Sequence, residues 1–194
     1  DTLTVLSTDA NGATDSDAVA ITVSSVNDGP VNTVPGAQTV NEDTSLSIGG
    51  ISVNDVDGNL ATTQLSVTNG ALNVSLAGGA TISSGANGSS TLTLSGTQAQ
   101  INAALASISY QGNANFNGSD TLTVLSTDAN GATDSDAVTI TVTSVNDVPV
   151  NTVPGAQTVN EDTALSISGV SVNDVDGNLA TTQLSVTNLS LIHI

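Results

Sequence analysis

The chain of 194 residues contains neither Lys nor Arg against 18 acidic residues, for a formal net charge of −18, so whatever neutralises its carboxylates comes from outside the chain. A polyanion of this kind is repelled by nucleic acid phosphates and by anionic membrane surfaces, and it attracts small hard cations; nucleic-acid binding is excluded. Hydrophobic residues are 38% of the sequence, almost all Val, Leu, Ile and Ala, with one Phe, one Tyr and no Trp, Met or Cys.

That palette makes a core without aromatic platforms, disulfides or thiolate metal sites. Regularly spaced β-branched runs set the chain apart from disordered acidic sequences. No run approaches the roughly 20 apolar residues of a membrane span, so no membrane insertion is expected.

From the start, Asp1 opens mid-pattern without a methionine or a signal-like segment and reads as cut from something longer. Asp1 to Asn69 realigns on Asp120 to Asn188, 119 residues further on, with six differences, a near-identity that indicates a tandem array. The boundary falls at Asn27-Asp28-Gly29-Pro30 and its copy Asn146-Asp147-Val148-Pro149, where proline ends a β-rich run. Residues 1–27 therefore read as the last strands of a preceding repeat. Residues 28–146 read as one complete repeat, and 147–188 as the opening of the next.

Within the complete repeat, period-two alternation marks strands over Gln64–Asn69, Ala71–Leu76, Ser90–Leu94, Thr121–Leu125 and Ala137–Val145. Over Thr97–Ala106 the spacing changes: Ile101 and Leu105 lie four apart behind Ser-Gly-Thr, which predicts one short helix. The expectation is an all-β, mostly antiparallel sandwich of about seven to nine strands per repeat. At the far end, Leu189-Ser190-Leu191-Ile192-His193-Ile194 replaces the expected copy of Gly70 to Ser75. The peptide matches the translation of a transposon-end sequencing adapter. Residues 189–194, and with them the only histidine, are expected to be foreign and are given no role.

The acids gather in turns and linkers rather than on strand faces. In the complete repeat they are Asp28, Glu42, Asp43, Asp55, Asp57, Asp120, Asp128, Asp134 and Asp136. Three clusters stand out: Asn27-Asp28, Asn54-Asp55-Val56-Asp57-Gly58-Asn59, and Asp128-Ala129-Asn130-Gly131. Calcium takes six to eight oxygen ligands in flexible geometry, and Asp-x-Asp followed by Gly lets two carboxylates converge as the chain turns. No EF-hand or β-roll calcium motif is present. Asp and Asn also favour turns for conformational reasons, and that reading suits Asp15, Asp17, Asp134 and Asp136 better. For Asp55 and Asp57 the cation reading is preferred, because a crowded carboxylate loop without cations must raise its pKa values or splay.

At these residues the chain resembles the cadherin-like (VCBS-type) tandem repeats of large bacterial surface adhesins, over its whole length to Asn188. The likeness rests on Asn-Asp-x-Pro at the linker, Val40-Asn41-Glu42-Asp43, Asp55-Val56-Asp57-Gly58-Asn59, Asn115-Phe116-Asn117-Gly118-Ser119-Asp120 and Asp128-x-Asn130-Gly131. It implies tandem cadherin/Ig-like antiparallel β-sandwiches with one short helix per repeat and Ca2+ at each junction. The implied ligands of the first junction are Asn27, Asp28, Asp55, Asp57, Asn59 and Asp128. Those of the second are Glu42, Asn146, Asp147, Asp174, Asp176 and Asn178. The family's Asp-Arg-Glu motif has no counterpart, since Tyr110 to Asp120 contains neither Arg nor Glu, which leaves the number of ions per junction open.

The function expected on this basis is a calcium-rigidified structural or adhesive stalk repeat of a secreted bacterial surface protein, serving cell adhesion or biofilm outside the cell. Its partners would be neighbouring repeats of the same chain, with host or biofilm ligands reached through other domains. A carbohydrate-recognising module is the alternative, with only Tyr110 and Phe116 available for stacking. A two-carboxylate glycosidase is the least favoured, because no cationic electrophile, nucleophilic cysteine or genuine histidine accompanies the acids. The chain is not expected to be an enzyme.

Overall fold

The structure is a computed structural model that describes residues 1–187. In chain order its elements are β1 (Thr2–Thr8), β2 (Thr14–Ala20), β3 (Val31–Thr33), β4 (Gln38–Asn41), β5 (Ser45–Ser47), β6 (Ser52–Asn54), β7 (Leu60–Ser66), β8 (Gly70–Asn73), β9 (Thr81–Gly85), β10 (Thr91–Ser95), the helix α1 (Gln98–Leu105), β11 (Ser109–Gly112), β12 (Gly118–Asp128), β13 (Thr133–Thr143), β14 (Val150–Thr152) and β15 (Ser171–Asn173).

The alternation that marks the strands in sequence becomes alternation of burial. Along β12, Asp120, Leu122, Val124, Ser126 and Asp128 point inward while the residues between them face out, and β13 does the same with Val138, Ile140 and Val142. These strands lie in a six-stranded sheet of order β4-β13-β12-β7-β10-β9. Its pairings are antiparallel except the parallel one of β4 with β13. A three-stranded sheet, β5-β11-β8, and the pair β3-β6 complete the same layered unit. One core cluster runs from Ile48 to Val142 and draws on both sheets and the helix. Among the described residues the fold is mostly β-sheet with a single short helix, consistent with an all-β sandwich.

The strand bounds differ from the alternation reading because a bulge shifts the pattern. The register of β7 against β12 slips between Thr127 and Asp128, so Leu60 and Leu65, an odd number of residues apart, both face the core. Strands β3, β5 and β6 have three residues each, too few to show a period. They raise the strand number above the expected range.

The helix lies at the predicted place. Thr97 caps it reciprocally with Gln100, and Ile101, Ala104 and Leu105 enter the core. Its polar side chains act as a substitute strand edge. Asn102 Oδ1 accepts from Val53 N at 2.8 Å and Nδ2 donates to Val53 O at 2.9 Å, while Gln98 Oε1 accepts from Asp55 N at 2.9 Å. The exit of β6 is thereby fixed on the edge away from β3.

Two polar groups inside the fold are fully paired. Asp120 accepts from Thr68 N, Asn69 N, Thr121 N and Tyr110 Oη at 2.8–3.0 Å, which meets a buried carboxylate with donors where no cation exists. Burial, followed by the bond to Asp120, pushes the Tyr110 hydroxyl well above its ordinary pKa. Asn32 ties β3 to β13 and β12: its N donates to Asp134 Oδ2 at 2.7 Å and its Oδ1 accepts from Ser126 Oγ at 2.6 Å.

Candidate metal centre

Local turn chemistry builds the acidic loops. After β6, Asp55 Oδ1 accepts from Asp57 N at 3.1 Å and Asp55 O accepts from Gly58 N at 3.2 Å, with Gly58 at φ +68° closing the turn. The copy is superposable in its bonds: Asp174 Oδ1 accepts from Asp176 N at 3.1 Å, and Gly177 also has φ +68°. At the β12–β13 turn, Asp128 Oδ1 accepts from Asn130 N at 2.9 Å and Ala132 N at 2.8 Å, leaving Oδ2 for a partner.

At the first junction side chains of Asn27, Asp55, Asp57, Asn59 and Asp128 are linked by short contacts, and Asp28 takes part through its backbone N–H. Asp28 N donates to Asp57 Oδ2 at 2.6 Å, and Asn27 Nδ2 donates to Asp128 Oδ2 at 2.7 Å. Asp55 and Asp128 are buried, and an open cleft of about 460 Å³ is lined by Ser25, Val26, Asn27, Asp57, Asn59 and Asn130. The Asn27 amide above all holds the Asp128 carboxyl below its ordinary pKa. Burial opposes this, and the backbone N–H groups of Ala132, Asn130 and Gly131 reinforce it.

The hydrogen-bond count at this junction does not close. One end of the Asn59 amide lies 3.1 and 2.9 Å from the two Asp55 oxygens, and the other lies 2.7 Å from Asn27 Oδ1. With the bond from Asn27 to Asp128, two amides span two carboxylates through three contacts. Each amide brings one nitrogen, so at least one contact sets oxygen against oxygen whichever way the amides are turned. Asn130 Nδ2 reaches Asn27 Oδ1 but separates no such pair. Either a proton on one carboxylate or a cation between the oxygens would close the count.

The second junction carries the denser charge. Ligand atoms of Glu42, Asp147 and Asp176 lie within 4.8 Å of one another. They come from the end of β4, from the linker and from the loop after β15. Asp147 N donates to Asp176 Oδ2 at 2.6 Å, and Asn178 Nδ2 donates to Asn146 Oδ1 at 2.8 Å. Glu42, itself buried, accepts from Val145 N at 2.7 Å and Asn117 Nδ2 at 3.4 Å. Asp147 Oδ2 is buried and has no hydrogen-bond partner. Burial pushes the Asp147 carboxyl above its ordinary pKa, and Asp176, Asp43, Glu42 and Asp174 push it the same way. The donor set is all oxygen, mixed between carboxylate and amide, which suits a hard divalent ion such as calcium.

Several contributing residues were not assigned from sequence. Asn130 shares the Asp-x-Asn spacing of Asp57-Gly58-Asn59 and was legible on that ground. Asn117, Gln98 and Asn102 act across distant elements and leave no local signature. Of the aromatic pair, Tyr110 is fully buried and Phe116 packs partly buried against the core, so neither offers a free stacking face.

The model of a family described as Protein GAMETE EXPRESSED 2 domain matches residues 43–137, a little under half of the chain. No curated protein matches the chain. The family match overturns the resemblance to VCBS-type cadherin-like repeats, and with it the attribution to a bacterial surface adhesin. The physical reason lies in the motifs that carried the likeness. They are Asp, Asn, Gly and Pro at turns and linkers, and such residues recur wherever β-sandwiches turn, so they specify turn chemistry and not lineage.

Proposed function

We propose that the chain is a stretch of a tandem array of Ig-like β-sandwich modules in which calcium bridges each linker and stiffens the array. We place this array outside the cell, where millimolar calcium fills sites with dissociation constants of about 10⁻⁴ to 10⁻³ M. The observation that carries the reading is the convergence of Glu42, Asp147 and Asp176 from three separate segments, with Asp147 Oδ2 buried and unpartnered, in a chain without Lys or Arg. The surplus of oxygen at the first junction supports it independently.

In this mechanism the apo linker is held apart by like charge, and the ion replaces repulsion with shared coordination. Glu42 contributes from the module before the linker, Asp147 from the linker and Asp176 from the module after it. The ion therefore fixes the angle between modules. The array has a mechanical role in adhesion or spacing, and the chain is not an enzyme. Small-angle scattering with calcium and with EDTA tests this. The reading expects a longer, stiffer particle with calcium, and identical dimensions in both buffers sink it.

A further inference from the structure

The chain holds five Asn-Gly pairs, beginning at Asn11, Asn69, Asn87, Asn117 and Asn130. Glycine after asparagine leaves the following backbone nitrogen unshielded by a Cβ, so that nitrogen can reach the side-chain carbonyl carbon and close a five-membered ring. Whether the ring forms depends on how firmly the fold holds the amide and that nitrogen. At Asn87 both are held: the amide accepts from Val74 N at 2.9 Å and donates to Val74 O at 3.0 Å, while Gly88 N donates to Leu72 O at 2.9 Å. Asn69 precedes a buried glycine wedged so closely that a Cβ on Gly70 would lie 2.5 Å from both Gln111 O and the Tyr110 ring. Gly118, after Asn117, is built into the β12–β13 pairing opposite Val142.

Within the complete repeat Asn130 is held least. It and Gly131 are exposed at the β12–β13 turn, and nothing lies within 4 Å of where a Gly131 side chain would begin. Gly131 N donates to Asp128 O at 3.3 Å, a longer bond than that of Gly88 N. The Asn130 amide lines the first-junction cleft beside Asn27, Asp57 and Asn59 and reaches Asn27 Oδ1. Its turn is the bond-for-bond counterpart of the loop after β6. Asp128 Oδ1 accepts from Asn130 N as Asp55 Oδ1 accepts from Asp57 N, and Asp128 O accepts from Gly131 N as Asp55 O accepts from Gly58 N. Gly131 and Gly58 both have positive φ, +89° and +68°. Asn130 thus stands where the other turn carries the carboxylate of Asp57.

We propose that Asn130-Gly131 is a site of spontaneous deamidation that adds a carboxylate to the first junction and raises its affinity for calcium. Gly131 N gives its proton to solvent base and bonds to Asn130 Cγ; the Cγ–Nδ2 bond breaks, and Nδ2 leaves as ammonia with a proton taken from water. Water then adds to one carbonyl of the cyclic imide and breaks one C–N bond to Gly131, so the sum is amide plus water to carboxylate plus ammonium. Opening at Cγ restores the backbone and leaves aspartate, which gives the junction two Asp-x-Asp-Gly turns. Opening at the main-chain carbonyl leaves isoaspartate, with the same charge on a lengthened backbone. Without an ion the new charge joins those of Asp57 and Asp128 and repels them. Around an ion it is a further ligand, and ligand charge count tunes affinity in oxygen sites. The inference rests on the cation reading proposed above.

Ageing the whole chain in mildly alkaline, calcium-free buffer, followed by peptide-resolved mass spectrometry, tests the site. Residue 130 should convert well before residues 69 and 87, and an Asn130 that survives as long as Asn87 overturns it. Calorimetric calcium titration of Asn130→Asp and Asn130→Gln tests the consequence, each in a Glu42→Gln background that weakens the second junction. Position 130 is exposed, so neither change disturbs the core. Asn130→Asp should bind about tenfold more tightly than the background protein, and Asn130→Gln, which keeps an amide, should not. Equal or weaker binding by Asn130→Asp, or equal tightening by Asn130→Gln, overturns the regulatory role. Calcium binding by none of these proteins defeats the cation reading of the junction, whereas the mass result alone decides the deamidation site.

Discussion

Glu42 Oε1 accepts from Val145 N at 2.7 Å, so the carboxylate that ends β4 is held by the strand exit leading to Asp147. The parallel pairing of β4 with β13 creates this relationship, because it carries both chains to the same end of the sheet. A carboxylate aimed at the linker is thus a consequence of sheet order.

Glu42→Gln separates the structural and metal-binding roles of that side chain. The amide oxygen can still accept from Val145, so the fold should persist in EDTA, with equal or slightly higher melting temperature as one charge leaves the cluster around Asp147. In calcium the variant should bind at least about tenfold more weakly, within the 10–100-fold range typical when a metal site loses a supporting group. Paired melting curves in EDTA and calcium check both halves, and equal calcium stabilisation of the two proteins would falsify the assignment of Glu42 as a ligand.

The pH dependence follows from two opposed shifts. The Asp147 carboxyl lies above its ordinary value of 3.8, so the folded junction holds a proton more tightly than the unfolded chain. Without metal, its contribution is favourable below 3.8 and is lost as pH rises through the raised value. Asp128 lies below 3.8, and its contribution is present above that value and lost as pH falls through the lowered one. In EDTA, acidification from neutrality should therefore first tighten the second junction and only later loosen the first. In calcium the first effect reverses, because the ion must displace the proton on Asp147 and affinity falls with pH. Carboxyl chemical shifts followed by NMR in both buffers would resolve the two groups, and a common midpoint for Asp147 and Asp128 in EDTA would contradict this account.

Much of this was legible in sequence because it depends on near neighbours. The helix position, the turn at Asp55 to Asn59 and the linker at Asn27-Asp28 follow from capping, Asx-turn and proline chemistry acting within a few residues. The bulge before Asp128 was not legible, since it depends on pairing between β7 and β12. The bonds from Gln98 and Asn102 to the β6 exit link residues more than forty positions apart, so no local pattern announces them. Lineage was misread because turn residues say how a chain bends and not where it came from.

Asn102→Ala removes both bonds to Val53 and leaves its N–H and C=O facing an apolar helix side. Losing partners for two partly buried backbone groups should cost about 1–3 kcal/mol, seen as a lower urea midpoint with unchanged slope. Gln98→Ala removes the acceptor for Asp55 N and should do less to global stability while weakening calcium binding at the first junction. A Gln98→Ala protein with unaltered calcium titration would remove the helix from any part in shaping that loop.

Tyr110→Phe tests how the fold tolerates a buried carboxylate without any cation. Tyr110 Oη donates to Asp120 Oδ2 at 3.0 Å, beside the N–H of Asn69 at 2.9 Å on the same oxygen. Phenylalanine keeps the ring packing and deletes only the hydroxyl, so the change isolates one donor. The buried acid should then be under-solvated, with a loss of about 1–3 kcal/mol at neutral pH. Urea unfolding of both proteins at neutral pH measures this, and equal midpoints would show that the backbone donors of Thr68, Asn69 and Thr121 satisfy Asp120 without the hydroxyl.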